Sequence, residues 1–209
     1  MRRYAPALFA LALALTVAPA FAKAPEGPLD FTVKDIDGKE INLAEKYAGK
    51  VCLVVNVASK CGLTPQYKEL AAIHEKYREK GFAILAFPSN DFDAEEPGTD
   101  AEIKEFCTST YGVKFDLFSK IPVKGEEKAP FYAYLTSKET NGDFGGEIEW
   151  NFTKFLIGRD GQVIARFKPD AKPDAPEVIQ AIEDALAAEE AGDEWDDLDV
   201  GNLSGQAIL

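Results

Sequence analysis

The chain has 209 residues, with 36 acidic against 23 basic side chains and a formal net charge of −13. So acidic a balance offers no basic footprint for a phosphate backbone and argues against nucleic acid as a partner. Three cysteines and one histidine, with no C-x-x-C pair, give no metal-ligand spacing, so neither a metal nor another cofactor is expected.

Arg2 and Arg3 precede a short apolar run over residues 7–20, which ends at Ala20-Phe21-Ala22, a small-x-small cleavage pattern. The run is too short to favour a spanning helix. We therefore expect a cleaved export signal over residues 1–22, one folded domain over 23–190 and an acidic tail over 191–209 that lacks an apolar period. The expected location is outside the cytosol, periplasmic in a Gram-negative cell, with no stable membrane association. Export permits disulfides, and an odd set of cysteines, Cys52, Cys61 and Cys107, leaves at least one thiol unpaired within the chain or kept for chemistry.

Along the domain, Asp37-Gly38 between extended pieces predicts a small hairpin over 31–43. Residues 51–57 are nearly all apolar and rich in valine, which predicts a central strand covered on both faces. A helix is expected over 66–80, with Thr64 as N-cap, Pro65 at the first helical position and Gly81 just past the end. His74 falls in this helix as a surface residue. A second strand over 82–87 runs into a polar loop from Pro88 to Gly98, and Thr99 with Glu102 forms a capping box that opens a helix over 99–110. Pro130 starts a short helix over 130–136. Strands over 149–157 and 162–167 are joined by Gly158-Arg159-Asp160-Gly161, and a last helix spans 175–190. This order predicts an α/β fold with a mixed central sheet flanked by helices, in which sites gather at the carboxyl ends of parallel strands.

Cys61 stands at such an end, in the turn before a helix. The positive end of that helix, with Lys60 adding to it, favours thiolate over thiol and predicts a lowered pKa; an uncharged cysteine there is a small apolar filler. Cys107, in the helix over 99–110, reads either as a buried residue or as a second thiol that attacks an oxidised Cys61; if it is buried, its helix must unwind for the sulfurs to meet. Cys52 lies inside the apolar strand as an inert core residue. Trp150 and Asn151 read as a core tryptophan with a turn asparagine, or as hydrogen-bond donors to a sulfur anion or a peroxide oxygen.

Three segments, NVASKCGLTPQY (56–67), FPSNDFDAEEPGTDAEI (87–103) and WNFTKFLIGRDG (150–161), together resemble the glutathione peroxidase family in its cysteine-containing form. The resemblance spans about residues 31–186 and implies a thioredoxin-like fold and reduction of hydroperoxides. On it, Cys61 matches the peroxidatic cysteine, Trp150 and Asn151 match two members of the catalytic tetrad, and Cys107 matches the resolving cysteine of members regenerated by thioredoxin. The fourth tetrad position departs from the family pattern: Glu95 stands where a glutamine is usual, Asp91 replaces another glutamine and Ser89 a cysteine. An ionised carboxylate at Glu95 opposes the Cys61 thiolate, whereas a protonated one donates a hydrogen bond or relays a proton to the leaving hydroxyl.

The stretch between Pro130 and Trp150 is short where tetrameric members carry an insertion, so the resemblance implies a monomer. It implies a hydroperoxide as substrate and a thioredoxin-like dithiol, or else glutathione, as reductant. Two other readings accompany the peroxidase. A thiol–disulfide oxidoreductase on the same fold needs the second cysteine that Thr64 replaces, and a non-catalytic binding protein would treat Glu95 as a mark of lost activity.

Overall fold

The computed structural model describes residues 25–188. The expected export signal and acidic tail, and the last residues of the expected final helix, lie outside the described residues. Thr32–Lys34 (β1) and Glu40–Asn42 (β2) pair antiparallel as the expected hairpin. They form a two-stranded sheet of their own, followed by the short helix Leu43–Tyr47 (α1), which Asn42 caps through its side chain.

The main sheet is built from Val51–Val57 (β3), Phe82–Pro88 (β4), Asp116–Leu117 (β5), Lys154–Ile157 (β6) and Val163–Phe167 (β7), in the order β5-β4-β3-β6-β7. β3 pairs parallel with β4 and antiparallel with β6, so the sheet is mixed and β3 is its central strand. The valine-rich run has no polar alternation because both faces of β3 are covered. Val51, Leu53, Val55 and Val57 pack on one side with Gln66–Tyr77 (α2), Asp100–Tyr111 (α3) and Pro176–Ala187 (α6). Cys52 and Val54 face the other side, toward α1 and Pro130–Thr136 (α4). Side chains alternate across a strand, so one apolar run serves two cores.

The capping box on α3 is present in both directions, from the Thr99 side chain to the Glu102 N–H and from the Glu102 carboxylate to the Thr99 N–H. Gly81 and Gly161 take the left-handed backbone that ends the turn after α2 and the β6–β7 hairpin.

Three expectations are corrected, and three short elements are added. Thr64 does not cap α2: Pro65 is the N-cap residue and no side chain serves the cap, because the Thr64 hydroxyl is turned back to the strand exit. The strand expected from residue 149 begins at Lys154, since residues 150–153 form a turn in which Phe152 has φ +66°. His74 is half-buried rather than a surface residue, edge-on to Phe115 with ring centres 5.9 Å apart, and burial pulls its pKa down. Finally, α1, β5 and the helix Lys138–Asn141 (α5) were not expected; each has five residues or fewer, too short to show a period.

Candidate active site

Parallel β3 and β4 end side by side, with Val57 opposite Pro88. The chain leaving β3 carries Cys61, and the loop leaving β4 carries Glu95. The two exits are tied by the Lys60 N–H, which donates to the Glu95 carbonyl at 3.0 Å. Asp93 and Ala94, immediately before Glu95, both sit at positive φ (49° and 53°). For an L residue such a conformation costs about 1–2 kcal/mol. Two in succession turn the loop back so that Glu95 faces the Cys61 turn, an arrangement of strain common at functional sites.

Cys61 is only 7 % exposed. The Thr64 hydroxyl accepts from the Cys61 N–H at 3.0 Å and donates to the Ala58 carbonyl at 2.9 Å, so it staples the strand exit to the turn. The Leu63 N–H then points at the Cys61 sulfur, 3.4 Å away.

Trp150 and Asn151 reach the same place because of Asn56, a buried polar residue within β3. Its carbonyl accepts from the Phe152 N–H at 2.6 Å, its side-chain oxygen from the Thr153 N–H at 3.0 Å, and its amide donates to the Trp150 carbonyl at 3.2 Å. These bonds replace the regular ladder with a tight turn that aims residues 150 and 151 at the thiol. The Asn151 amide donates to the Glu95 carboxylate at 2.8 Å, and the Trp150 ring packs against Phe92, centroids 5.3 Å apart.

Cys61, Glu95, Trp150 and Asn151 therefore converge, and both the Glu95 and Trp150 side chains lie within hydrogen-bonding reach of the thiol. The resting thiol is not the acidified one expected from a helix start. Burial raises its pKa first and the Glu95 carboxylate raises it further, while the Leu63 N–H and the Trp150 indole pull it down without reversing the balance. α2 begins only at Gln66, five residues on, so its positive end bears weakly on the sulfur.

Cys107 does not join this cluster. It lies wholly buried in α3, within the same hydrophobic core as Cys61, and both are free thiols. Burial pushes its pKa up to about 11, partly offset by the Tyr67 hydroxyl beside it. Cys52 is buried in the opposite core with a pKa pushed up to about 12, as an inert strand residue should be.

Two contributors were missed in the sequence. The signal for Asn56 was a polar residue inside an otherwise apolar strand. Glu96 is 1 % exposed and accepts from the Ser59 hydroxyl at 3.0 Å, gripping the chain two residues before Cys61.

A family model described as glutathione peroxidase matches residues 29–136. The chain is 48% identical over 178 residues to the thioredoxin/glutathione peroxidase BtuE of Escherichia coli (strain K12), covering 76% of this chain and 97% of that one. It is 50% identical over 159 residues to the hydroperoxy fatty acid reductase Gpx2 of Synechocystis sp. (strain ATCC 27184 / PCC 6803 / Kazusa), covering 76% and 99%. Among solved structures, the apo form of Trgpx superposes with a TM-score of 0.62 at 34% identity, covering 78% of this chain and 97% of that one. The fold is thioredoxin-like, as the resemblance implied.

Proposed function

This chain belongs to the glutathione peroxidase family and is a peroxidase, and from that premise we propose an exported, monomeric thiol peroxidase with Cys61 as nucleophile and Cys107 as resolving thiol. The observation that carries this reading is the convergence of Trp150, Asn151 and Glu95 on a cysteine held at the carboxyl end of the central strand.

In the first step the Cys61 thiolate attacks one oxygen of the O–O bond. Sulfur gives up two electrons and becomes a sulfenic acid, and the other oxygen leaves, takes a proton and departs as water or alcohol. The Trp150 indole N–H donates to the sulfur and steadies the charge as it moves. Asn151 holds the Glu95 carboxylate in place.

In the second step the Cys107 thiol attacks the Cys61 sulfenic acid. An S–S bond forms and water leaves, carrying the thiol proton. A thioredoxin-like dithiol, or glutathione, then reduces the disulfide and is itself oxidised. BtuE carries both reductants in its name, and the name of the Synechocystis relative gives hydroperoxy fatty acids as its substrate; for this chain the substrates are hydrogen peroxide and organic hydroperoxides. Because Cys107 is buried in α3, the second step requires that helix to open. α3 fully buries only Ile103 and Cys107 of its twelve residues, with Phe106 and Tyr111 half-buried against the same core, so its opening exposes few side chains.

Titration with one equivalent of hydrogen peroxide tests the scheme. Two of the three free thiols should disappear, and mass spectrometry of a digest should show a peptide pair joined through Cys61 and Cys107. A persistent sulfenic acid on Cys61, with Cys107 still free, would remove the resolving role. Export is tested separately: protein recovered from its native cell should begin at Lys23, and a protein that retains Met1 would overturn it.

A further inference from the structure

Lys154 is fully buried. A buried ammonium is costly unless every proton on it is paired, and such groups usually sit against a carboxylate. Here each contact is a neutral oxygen: the Gln66 side-chain carbonyl at 2.6 Å, the Ala171 carbonyl at 2.6 Å and the Pro169 carbonyl at 3.1 Å. Three acceptors meet the three donors of an ammonium. Burial still pulls its pKa down to about 7, with Asp170 opposing from further off. A residue needed only to fill this space would be apolar, because buried charge is weak evidence for stability.

The partners show what the side-chain nitrogen holds. Gln66 is the first residue of α2, and its amide is spent on the same node, donating to the Pro169 carbonyl at 2.8 Å. Its backbone N–H donates to the Leu63 carbonyl at 2.9 Å, and the Thr64 N–H donates to the Cys61 carbonyl at 3.0 Å. These two interlocked turns set the Leu63 N–H on the Cys61 sulfur. On the other side, Lys154 belongs to β6, three residues after Asn151, and is paired in register with Val55 of β3.

We propose that Lys154 is a positioning residue for the Cys61 thiol, its side-chain nitrogen locking the start of α2 to β6, directly after the turn that carries Trp150 and Asn151, and so keeping the Leu63 N–H on the sulfur. This rests on the reading of Cys61 as the reacting thiol. Lys154 touches neither the sulfur nor the peroxide; it acts through Gln66.

The test compares the full chain with Lys154→Met and Gln66→Leu, reading the pH profile of Cys61 alkylation by iodoacetamide, located by mass spectrometry, and the rate of oxidation by hydrogen peroxide. Each variant should shift the alkylation midpoint upward, since a group that lowers the thiol pKa is released. The peroxide rate at pH 7 should fall about fivefold, in line with the smaller thiolate fraction. The double variant should shift no further than the single ones, because both substitutions break one linkage.

Gln66→Leu leaves Lys154 its two backbone carbonyls, and carries the test if Lys154→Met fails to fold. A folded variant whose melting temperature changes while its alkylation profile does not would overturn the proposal, as would additive shifts in the double variant. A wild-type Cys61 that reacts with peroxide no faster than free cysteine would instead overturn the peroxidase mechanism; the alkylation profiles would still decide the role of Lys154.

Discussion

Replacing Cys61 with serine should abolish peroxide reduction, with a loss on the order of a thousandfold or more. A serine hydroxyl in the same turn keeps the packing and accepts the Leu63 N–H, yet it neither ionises near neutral pH nor takes up an oxygen atom. The comparison that gives this result meaning is Cys107→Ser. That variant should consume one equivalent of peroxide at the wild-type rate and then stop turning over with a dithiol reductant, leaving one added oxygen on Cys61. Stopped-flow Trp fluorescence reads the first step, because Trp150 lies beside the sulfur. A coupled assay with the reductant reads the cycle. Undiminished turnover in Cys107→Ser would assign the whole cycle to Cys61 with an external thiol, and residual activity in Cys61→Ser would place the chemistry elsewhere.

The division between these two cysteines follows from where the fold puts them. Cys61 sits in a turn between two elements, bound through backbone and hydroxyl contacts, and keeps a small exposed surface. Cys107 sits in the middle of a capped helix, facing the core with no exposure. On the proposed scheme one structure does not serve both steps, and α3 is the part that has to open. β3, which leads into the Cys61 turn, is fully buried and stays.

Much of this was legible in the sequence where the signal is local and repeated. The nearly continuous apolar run of β3 fits a strand covered twice, and the Thr99–Glu102 pair marks the start of α3 because both halves of the capping box lie within four residues. The errors came from long-range partners. Ile148, Trp150 and Phe152 alternate as a strand would, but Asn56, nearly a hundred residues earlier, captures their backbone groups and makes a turn. Thr64 carries a hydroxyl just before a helix, a fair N-cap signal, yet a carbonyl at Ala58 competes for it. The direction of the Cys61 pKa failed for the same reason. The helix start is visible in sequence, whereas the burial and the carboxylate that outweigh it come from folding.

That carboxylate makes Glu95→Gln the substitution with the next largest expected effect. Glu95 raises the Cys61 pKa twice, by accepting a hydrogen bond from the thiol form and by its charge. Glutamine removes the charge, keeps a carbonyl oxygen for the Asn151 amide that now donates to Glu95 at 2.8 Å, and presents an N–H to the sulfur. All three changes favour thiolate.

The alkylation midpoint of Cys61 should therefore fall by about one pH unit, and peroxide oxidation at neutral pH should quicken about tenfold, since below the midpoint each unit is a factor of ten in thiolate. The sign is specific: the rising limb of the rate against pH moves to lower pH. The plateau at high pH carries separate information, because there Cys61 is fully ionised in both proteins. A lower plateau in Glu95→Gln would show that the carboxylate also acts in the peroxide step itself, by orienting the peroxide, and not only on the thiol. An equal plateau with a shifted midpoint would confine Glu95 to tuning the thiol. A profile that moves in neither respect would leave Glu95 with no part at the sulfur, despite its place in the same hydrogen-bonded group.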